Sequence, residues 1–199
     1  MKDIMKSLKW SVSIAVITLV LAALFSVTSN TLLSGLGWAL GMLIVLAIVI
    51  LGVIFDIIGV ASTATDEKPF HAMASKKLKG AKHAMMIARN ADRVSNFCND
   101  VIGDISGIVS GTACAVVVLE LTATLGKGEG TPLHTIISVV FTSFVAAITV
   151  GGKAMGKTFA INNATKIIFQ VGRLLYFLEE KLHIKVISVN KKRPNLKRQ

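Results

Sequence analysis

Acidic residues are scarce in this chain, and charge of either sign is confined to short stretches. Eleven Asp and Glu stand against 22 Lys and Arg, and charged residues make up only 17% of the sequence. A soluble domain carries about 25%, so the shortfall argues against a large water-facing surface. Cysteine is rarer still, with only Cys98 and Cys114. On one helix they would lie roughly 24 Å apart, too far to form a disulfide. Neither has the spacing of a zinc or redox motif. The histidines, His71, His83, His134 and His183, are scattered, and no pair has metal-ligand spacing. A soft-metal centre is therefore not expected. A Ser/His/Asp set, a long internal repeat and a second soluble domain are also missing. The chain does not read as an enzyme.

Long apolar runs fill the space instead. Apolar residues make up 53% of the chain, and the mean hydropathy is +0.67. With the charges segregated, that excess lies in blocks, as membrane helices require. The first run, Ser11 to Val27, follows a basic start with Lys2, Lys6 and Lys9. The pattern is shared with signal peptides. No A-x-A-like cleavage site precedes a mature domain, so an uncleaved helix is expected. The second run, Leu36 to Ile58, contains Gly37 and Gly41. That spacing suits close helix packing, or glycines tolerated in a lipid-facing helix. In the third run, Val101 to Leu125, Gly103, Gly107 and Gly111 recur every four residues and predict a groove for a helix partner, within the chain or across a dimer. Glu120 is read as reaching the far interface or as an intramembrane ligand. The fourth run, His134 to Val150, is short but spans if tilted. An amphipathic stretch, Phe159 to Leu182, and a basic tail, KKRPNLKRQ, follow; the tail reads as disordered.

Asp66 to Phe97 cannot span a bilayer, having seven Lys or Arg and three Asp or Glu. Pro69 suits a first helical turn, with Thr65 or Asp66 as its cap. Met73, Ala81, Ala84, Met85 and Ala88 mark a weakly apolar face. A helix or helical hairpin along the membrane surface is predicted, packing that face against protein; a solvated basic loop is the alternative. The amino terminus, this segment and the tail are basic, whereas the short connections hold only Lys127 and Glu129. Both termini are therefore placed in the cytoplasm, with four crossings of the inner (plasma) membrane. The net charge of +11 is read as loops facing anionic lipid, not as a nucleic-acid surface. The fold class is all-α and polytopic. About four transmembrane helices are expected, with a basic helical segment between the second and third and a C-terminal amphipathic helix.

Two patterns carry possible chemistry. Gly151-Gly-Lys-Ala-Met-Gly156-Lys157-Thr158 matches the phosphate-binding pattern G-x-x-x-x-G-K-T. A working phosphate loop needs a buried strand before it and a parallel sheet around it. The apolar runs leave no room for these, so a nucleotide site is not expected. Here the match reads as a helix end with glycines for packing and interfacial lysines. The second pattern is oxygen at the membrane doorways. Asp56, Ser62 and Thr63 lie at the first, and Asn99, Asp100, Asp104 and Ser106 at the second. Oxygen ligands suit hard cations such as magnesium; helix capping accounts for the same residues without one. Asp56 and Asp104 are predicted to reach similar depth, where a cation would relieve their repulsion. Lys153 or Lys157 could do the same as a tethered counter-ion.

The order of parts resembles the transmembrane domain of the cyclin-M/CorC (CorB-like) family of magnesium transporters. That family has a membrane helix, an amphipathic juxtamembrane segment, two further membrane helices and a helical belt. In KLKGAKHAMMIARNADRV, Gly80-Ala81-Lys82 followed by Asn90-Ala91-Asp92-Arg93 is similar to the family's G-x-K/R-x-A and N-P-D-R, with Ala in place of Pro. FDIIGVASTAT is similar to its F-S-x-S-E-T-A and offers Asp56, or Ser62 with Thr63, but no Glu. Gly103-Asp104 is similar to its G-N. Gly152 to Lys157 is similar to its G-E-x-x-P-K, with Lys153 at the Glu and Gly156 at the Pro. The resemblance covers about Leu46 to Leu182. It implies residues 31–182 as the family-like domain (segment 66–97 within it), 1–30 as an extra helix and 183–199 as a basic tail, without the regulatory CBS (nucleotide-binding) pair. It also implies a homodimer that binds or transports a divalent cation, with magnesium expected; the doorway oxygens read as its ligands are Asp56, Ser62, Thr63, Asp100, Asp104 and Ser106. The alternative reading is a non-transporting membrane scaffold whose basic face and tail bind lipid or a protein partner.

Overall fold

The computed structural model describes residues 2–33, 35–126 and 130–182. The basic tail, 183–199, and Lys127 and Glu129 lie outside them. No strand occurs among the described residues. In chain order the helices are α1 (Lys2–Leu33), α2 (Trp38–Ala64), α3 (Lys68–Ser75), α4 (Ala81–Arg89) and α5 (Ala91–Asn96). A π-helical segment (Phe97–Gly103) leads without a break into α6 (Asp104–Thr124), followed by α7 (Pro132–Asn162) and α8 (Ala164–Leu182). Among the described residues four spans are long and apolar enough to cross a membrane: Ser11–Thr31, Trp38–Ala64, Ala91–Thr124 and Pro132–Asn162. This is the pattern of a multi-pass membrane protein. Helices suit that setting because their backbone groups bond within the segment.

Two helices run further than their apolar sequence marks. The second extends past Asp56 to Ala64, so Asp56 sits inside the helix and not at its end. The fourth continues through GGKAMGKT to Asn162. Every residue of that motif is helical, which removes the loop a phosphate would need.

The helix α2 is the hub, packing against α5, the π segment, α6, α7 and α8. On it Val45 and Val49 meet Ala113, Cys114, Val117 and Val118 of α6 and Val145 of α7. Gly41 lets α6 approach, since a β-carbon there would lie 2.7 Å from Val117 Cγ2; Gly37, at the N-cap, faces open space. Helix α1 lies against the π segment and α6, with Ile14, Leu21, Ala22 and Phe25 packed on Val101, Ile105 and Val109. Outward, α1 shows Val16, Leu19 and Val27, and α7 shows Ile136, Val140, Phe144 and Val150. Lipid tails are as apolar as these side chains, so close packing holds such helices together more than burial does.

The segment between α2 and the π helix is a helical hairpin plus a short third helix. Pro69 stands in the first turn of α3, as its missing N–H allows, but the N-cap is Glu67 and makes no side-chain cap bond. Thr65, expected as a cap, instead hydrogen-bonds Thr165 at 3.2 Å. The alanine face packs on protein. Ala81 and Ala84 are fully buried, and Ala84, Ile87 and Phe70 join Ala160, Ala164 and Ile168 of α7 and α8. Helices α4 and α8 touch at glycine: a β-carbon at Gly172 would lie 2.6 Å from the Gly80 oxygen and 2.7 Å from the Ala84 nitrogen. His83 bridges to Glu179 beside this seam at 2.5 Å.

Backbone cannot yield as a side chain does, so Gly172→Ala should destabilise the fold by about 1–3 kcal/mol. Gly151→Ala, with nothing within 4 Å of its added carbon, should not. Thermal melting in detergent compares the two. A second expectation concerns Glu67, which accepts hydrogen bonds from Arg89 Nε at 2.6 Å and His71 Nε2 at 2.7 Å. The Arg89 hydrogen bond, above all, holds its carboxyl below the ordinary 4.5. A carboxyl depressed on folding stabilises above its unfolded pKa, and that contribution is lost as pH falls through the folded value. Melting between pH 7 and pH 3 should therefore lose a small increment, under about 1 kcal/mol for so exposed a pair. Glu67→Gln should remove that increment.

Candidate functional site

One seam between α2 and the chain from the π segment into α6 collects buried oxygen. Along α2, Gly52, Asp56 and Gly59 lie four and three residues apart, so they share a face. Opposite them, in antiparallel order, stand Ser106, Gly103 and Asn99. A β-carbon at Gly52 would lie 2.8 Å from Ser106 Cβ, and one at Gly59 would overlap Asn99 Oδ1. At the centre, the position a Gly103 side chain would occupy is 3.9 Å from Asp56 Oδ1 and 3.6 Å from Lys153 Nζ. The glycines thus make room for the four polar side chains that face them, Ser106, Asn99, Asp56 and Lys153.

Asp56 is 4% exposed. Its Oδ2, Asn99 Oδ1 and Ser106 Oγ are buried without a hydrogen-bond partner. Such groups are normally paired, and an unpaired buried carboxylate is the costliest of them. The nearby cation is Lys153, whose Nζ donates to the Gly103 carbonyl at 3.3 Å. Among the described residues no ion pair joins it to Asp56. The π-helical segment supplies Asn99 and Gly103 to the site, and such segments are frequent at functional sites.

Lys153 reaches the seam because its glycine neighbours bring α7 against α2. A β-carbon at Gly156 would lie 2.8 Å from Ile57 Cγ1, and one at Gly152 3.2 Å from Val53 Cγ2. Helix contact therefore accounts for two of the glycines in the GGKAMGKT match. Lys157 is exposed.

Other sequence-predicted residues fall elsewhere. Ser62 is fully buried, but its hydroxyl donates to Gly59 O at 2.7 Å and Ala91 O at 3.3 Å, tying α2 to α5. Thr63 is exposed and donates to Val60 O at 3.0 Å. Asp100 and Asp104 are also exposed. Successive helical residues point about 100° apart; with Gly103 turned to α2, Asp104 is turned away from it. The two carboxylates expected to share one site are thus separated, Asp56 inside and Asp104 outside. The glycine face divides in the same way. Gly103 is buried in the seam, whereas β-carbons at Gly107 and Gly111 would meet nothing within 4 Å. These two line a 230 Å³ groove with Thr142, Val145, Ala146 and Thr149 of α7. Gly52 and Gly59, flanking Asp56 on α2, are the members that sequence reasoning missed. Their signal was the spacing G-x-x-x-D-x-x-G within an apolar run.

The pairing of Gly52 with Ser106 makes a reciprocal prediction. Gly52→Ala should cost about 1–3 kcal/mol through overpacking. Adding Ser106→Gly, which removes the carbon in the way, should recover part of that loss. A double-mutant cycle on melting temperature reads the coupling; strict additivity would mean the two positions do not touch.

No family model matches the chain, nor does any curated protein or solved structure.

Proposed function

We propose that this chain is a multi-pass membrane protein that binds and moves a divalent cation, with magnesium the first ion to test, at the α2–α6 seam. The observation that carries this reading is the set of three buried side-chain oxygens without partners, Asp56 Oδ2, Asn99 Oδ1 and Ser106 Oγ. Asn99 and Ser106 stand about two helical turns apart, so the Asp56 carboxylate is proposed as the direct ligand, with the amide and hydroxyl oxygens reached through the waters that magnesium keeps in its shell. Among the described residues no group of three His, Cys, Asp or Glu is assembled for a metal, so the reading rests on mixed oxygen donors with a single acid. Asp100, Asp104 and Thr63 have no part in it. The resemblance to the cyclin-M/CorC domain supports the same class of function. Both termini and the basic segment are assigned to the cytoplasmic side of the inner membrane, and the Gly107–Gly111 groove to the contact of a homodimer.

A second reading rests on the Lys153 Nζ contact with Gly103 O. A lysine already at the doorway acts as a permanent counter-ion for Asp56, and the protein is a scaffold that transports nothing. The two readings differ in what Lys153 does. In the first, its ammonium competes with the cation and must withdraw as the ion enters.

A magnesium titration of melting temperature on wild type, Asp56→Asn and Lys153→Ala separates them. Under the cation reading, wild type gains roughly 5–10 °C at hundredfold excess over Kd. Asp56→Asn abolishes the gain, and Lys153→Ala binds magnesium more tightly. Under the scaffold reading, Lys153→Ala lowers stability and wild type ignores magnesium. Indifference up to millimolar magnesium, with no flux into vesicles, would end the transporter assignment. Reporters fused to the two ends test the topology, since opposite placement requires an odd number of crossings.

A further inference from the structure

We infer that the turn between α3 and α4, together with α8, forms a binding site for the headgroup of an anionic phospholipid. This site lies on different residues from the acidic seam and stands whichever reading of that seam holds. A 640 Å³ cavity opens here, lined by Lys77, Leu78, Lys79, Lys82, His83 and Tyr176, among others. A second cavity of 430 Å³ shares Lys79 and Tyr176 and adds Arg173, Leu174, Phe177 and Glu180.

Charge is the first argument. Lys77, Lys79 and Lys82 are exposed, and none has a carboxylate partner among the described residues. Of the nearby acids, Glu179 is taken by His83, which leaves Glu180 at the far edge, in the second cavity. Lys79 Nζ lies 5.7 Å from the centre of the Tyr176 ring, held over its face. Three lysines around one concavity suit a phosphate group, and basic pockets beside membrane helices bind anionic headgroups.

Backbone geometry is the second argument. Leu78 N donates to Met73 O, and Lys77 N to Ala74 O, closing α3 in a Schellman turn. The left-handed position of that turn ordinarily belongs to glycine. Here it is Lys77, at φ 55°. A side chain kept where none is the easier choice points to a use for it, since such outliers cluster at ligand clamps. The wall behind is rigid, because Gly80 and Gly172 bring α4 and α8 into backbone contact.

Exposed apolar side chains beside the charges select lipid over a soluble anion. Leu78 is 46% exposed beside the lysines, and Leu174 and Phe177 are 58% and 51% exposed beside Arg173. A phosphate in water has no use for these side chains. A phospholipid places its headgroup on the lysines and its acyl chains against the leucines and phenylalanine.

The test uses the full chain purified in detergent, with dioleoyl phosphatidylglycerol and dioleoyl phosphatidylcholine as probes. Native mass spectrometry counts bound lipid, and melting temperature follows the same additions. Phosphatidylglycerol should bind and stabilise well beyond phosphatidylcholine. The variant Lys77→Gly/Lys79→Gln/Lys82→Gln should keep or raise the lipid-free melting temperature, because glycine relieves the left-handed turn, yet bind phosphatidylglycerol roughly 100-fold more weakly. If that variant does not purify folded, Lys82→Gln alone carries the comparison, with a roughly fivefold loss expected. Lys68→Gln/Lys166→Gln removes charge outside both cavities and should have little effect. Three results would overturn the assignment: equal binding of the two lipids, equal loss in the Lys68/Lys166 variant, or displacement of phosphatidylglycerol by millimolar inorganic phosphate. The last would make the cavity a soluble-anion site.

Discussion

Burying a carboxylate between helices costs several kcal/mol unless a charge or hydrogen bonds answer it, and Asp56 imposes that constraint at the middle of the hub helix. The fold builds the surroundings of the acid in two ways but leaves its Oδ2 without a partner. Gly52 and Gly59 flank the acid and bring Ser106 and Asn99 to the same face, while Gly103 leaves open the place where a side chain would stand. From the third helix, Lys153 arrives at the Gly103 carbonyl. Replacing any of these glycines with a larger residue would change the distance between two helices and, with it, the setting of the acid.

The same logic explains why small residues are placed as they are. In a bilayer two apolar helices gain little by hiding from lipid, so they associate through close contact. Gly41 against Val117, Gly156 against Ile57 and Gly172 against Gly80 each provide such a contact. They connect α2 to α6, α2 to α7 and α4 to α8. The last joins the connecting hairpin to the C-terminal helix, so the lysine-rich turn is mounted on a rigid seam. The acidic seam and the basic turn therefore rest on one packing scheme while differing in chemistry: oxygen without a hydrogen-bond partner inside, ammonium without a carboxylate partner outside, among the described residues.

Sequence reading and structure part company where one residue of rotation matters. Gly103 and Asp104 are neighbours in the chain, the first read as a packing glycine and the second as a doorway acid. A helix turns them about 100° apart, so the glycine faces α2 and the acid faces out. Gly103, Gly107 and Gly111 share a stripe, yet only the first is packed within the chain. A stripe on a long helix meets different neighbours at different heights. Asp56 was read as ending the second apolar run, at the membrane doorway. The helix instead continues to Ala64, where the hydroxyls of Ser62 and Thr63 are satisfied by carbonyls of their own helix.

Residue order alone determined the helical character, the four membrane-length spans and the basic segment between the second and third. These follow from composition and period, which act within a few turns of chain. The alanine face of the hairpin was legible for the same reason. Only the tertiary structure decided which oxygens are buried together, that Lys153 stands beside Asp56, and that Gly52 and Gly59 frame them. Those relations join residues some 40 to 100 positions apart across helices whose relative rotation no local pattern specifies. They are set by which faces can approach closely, a property of pairs of helices and not of either one.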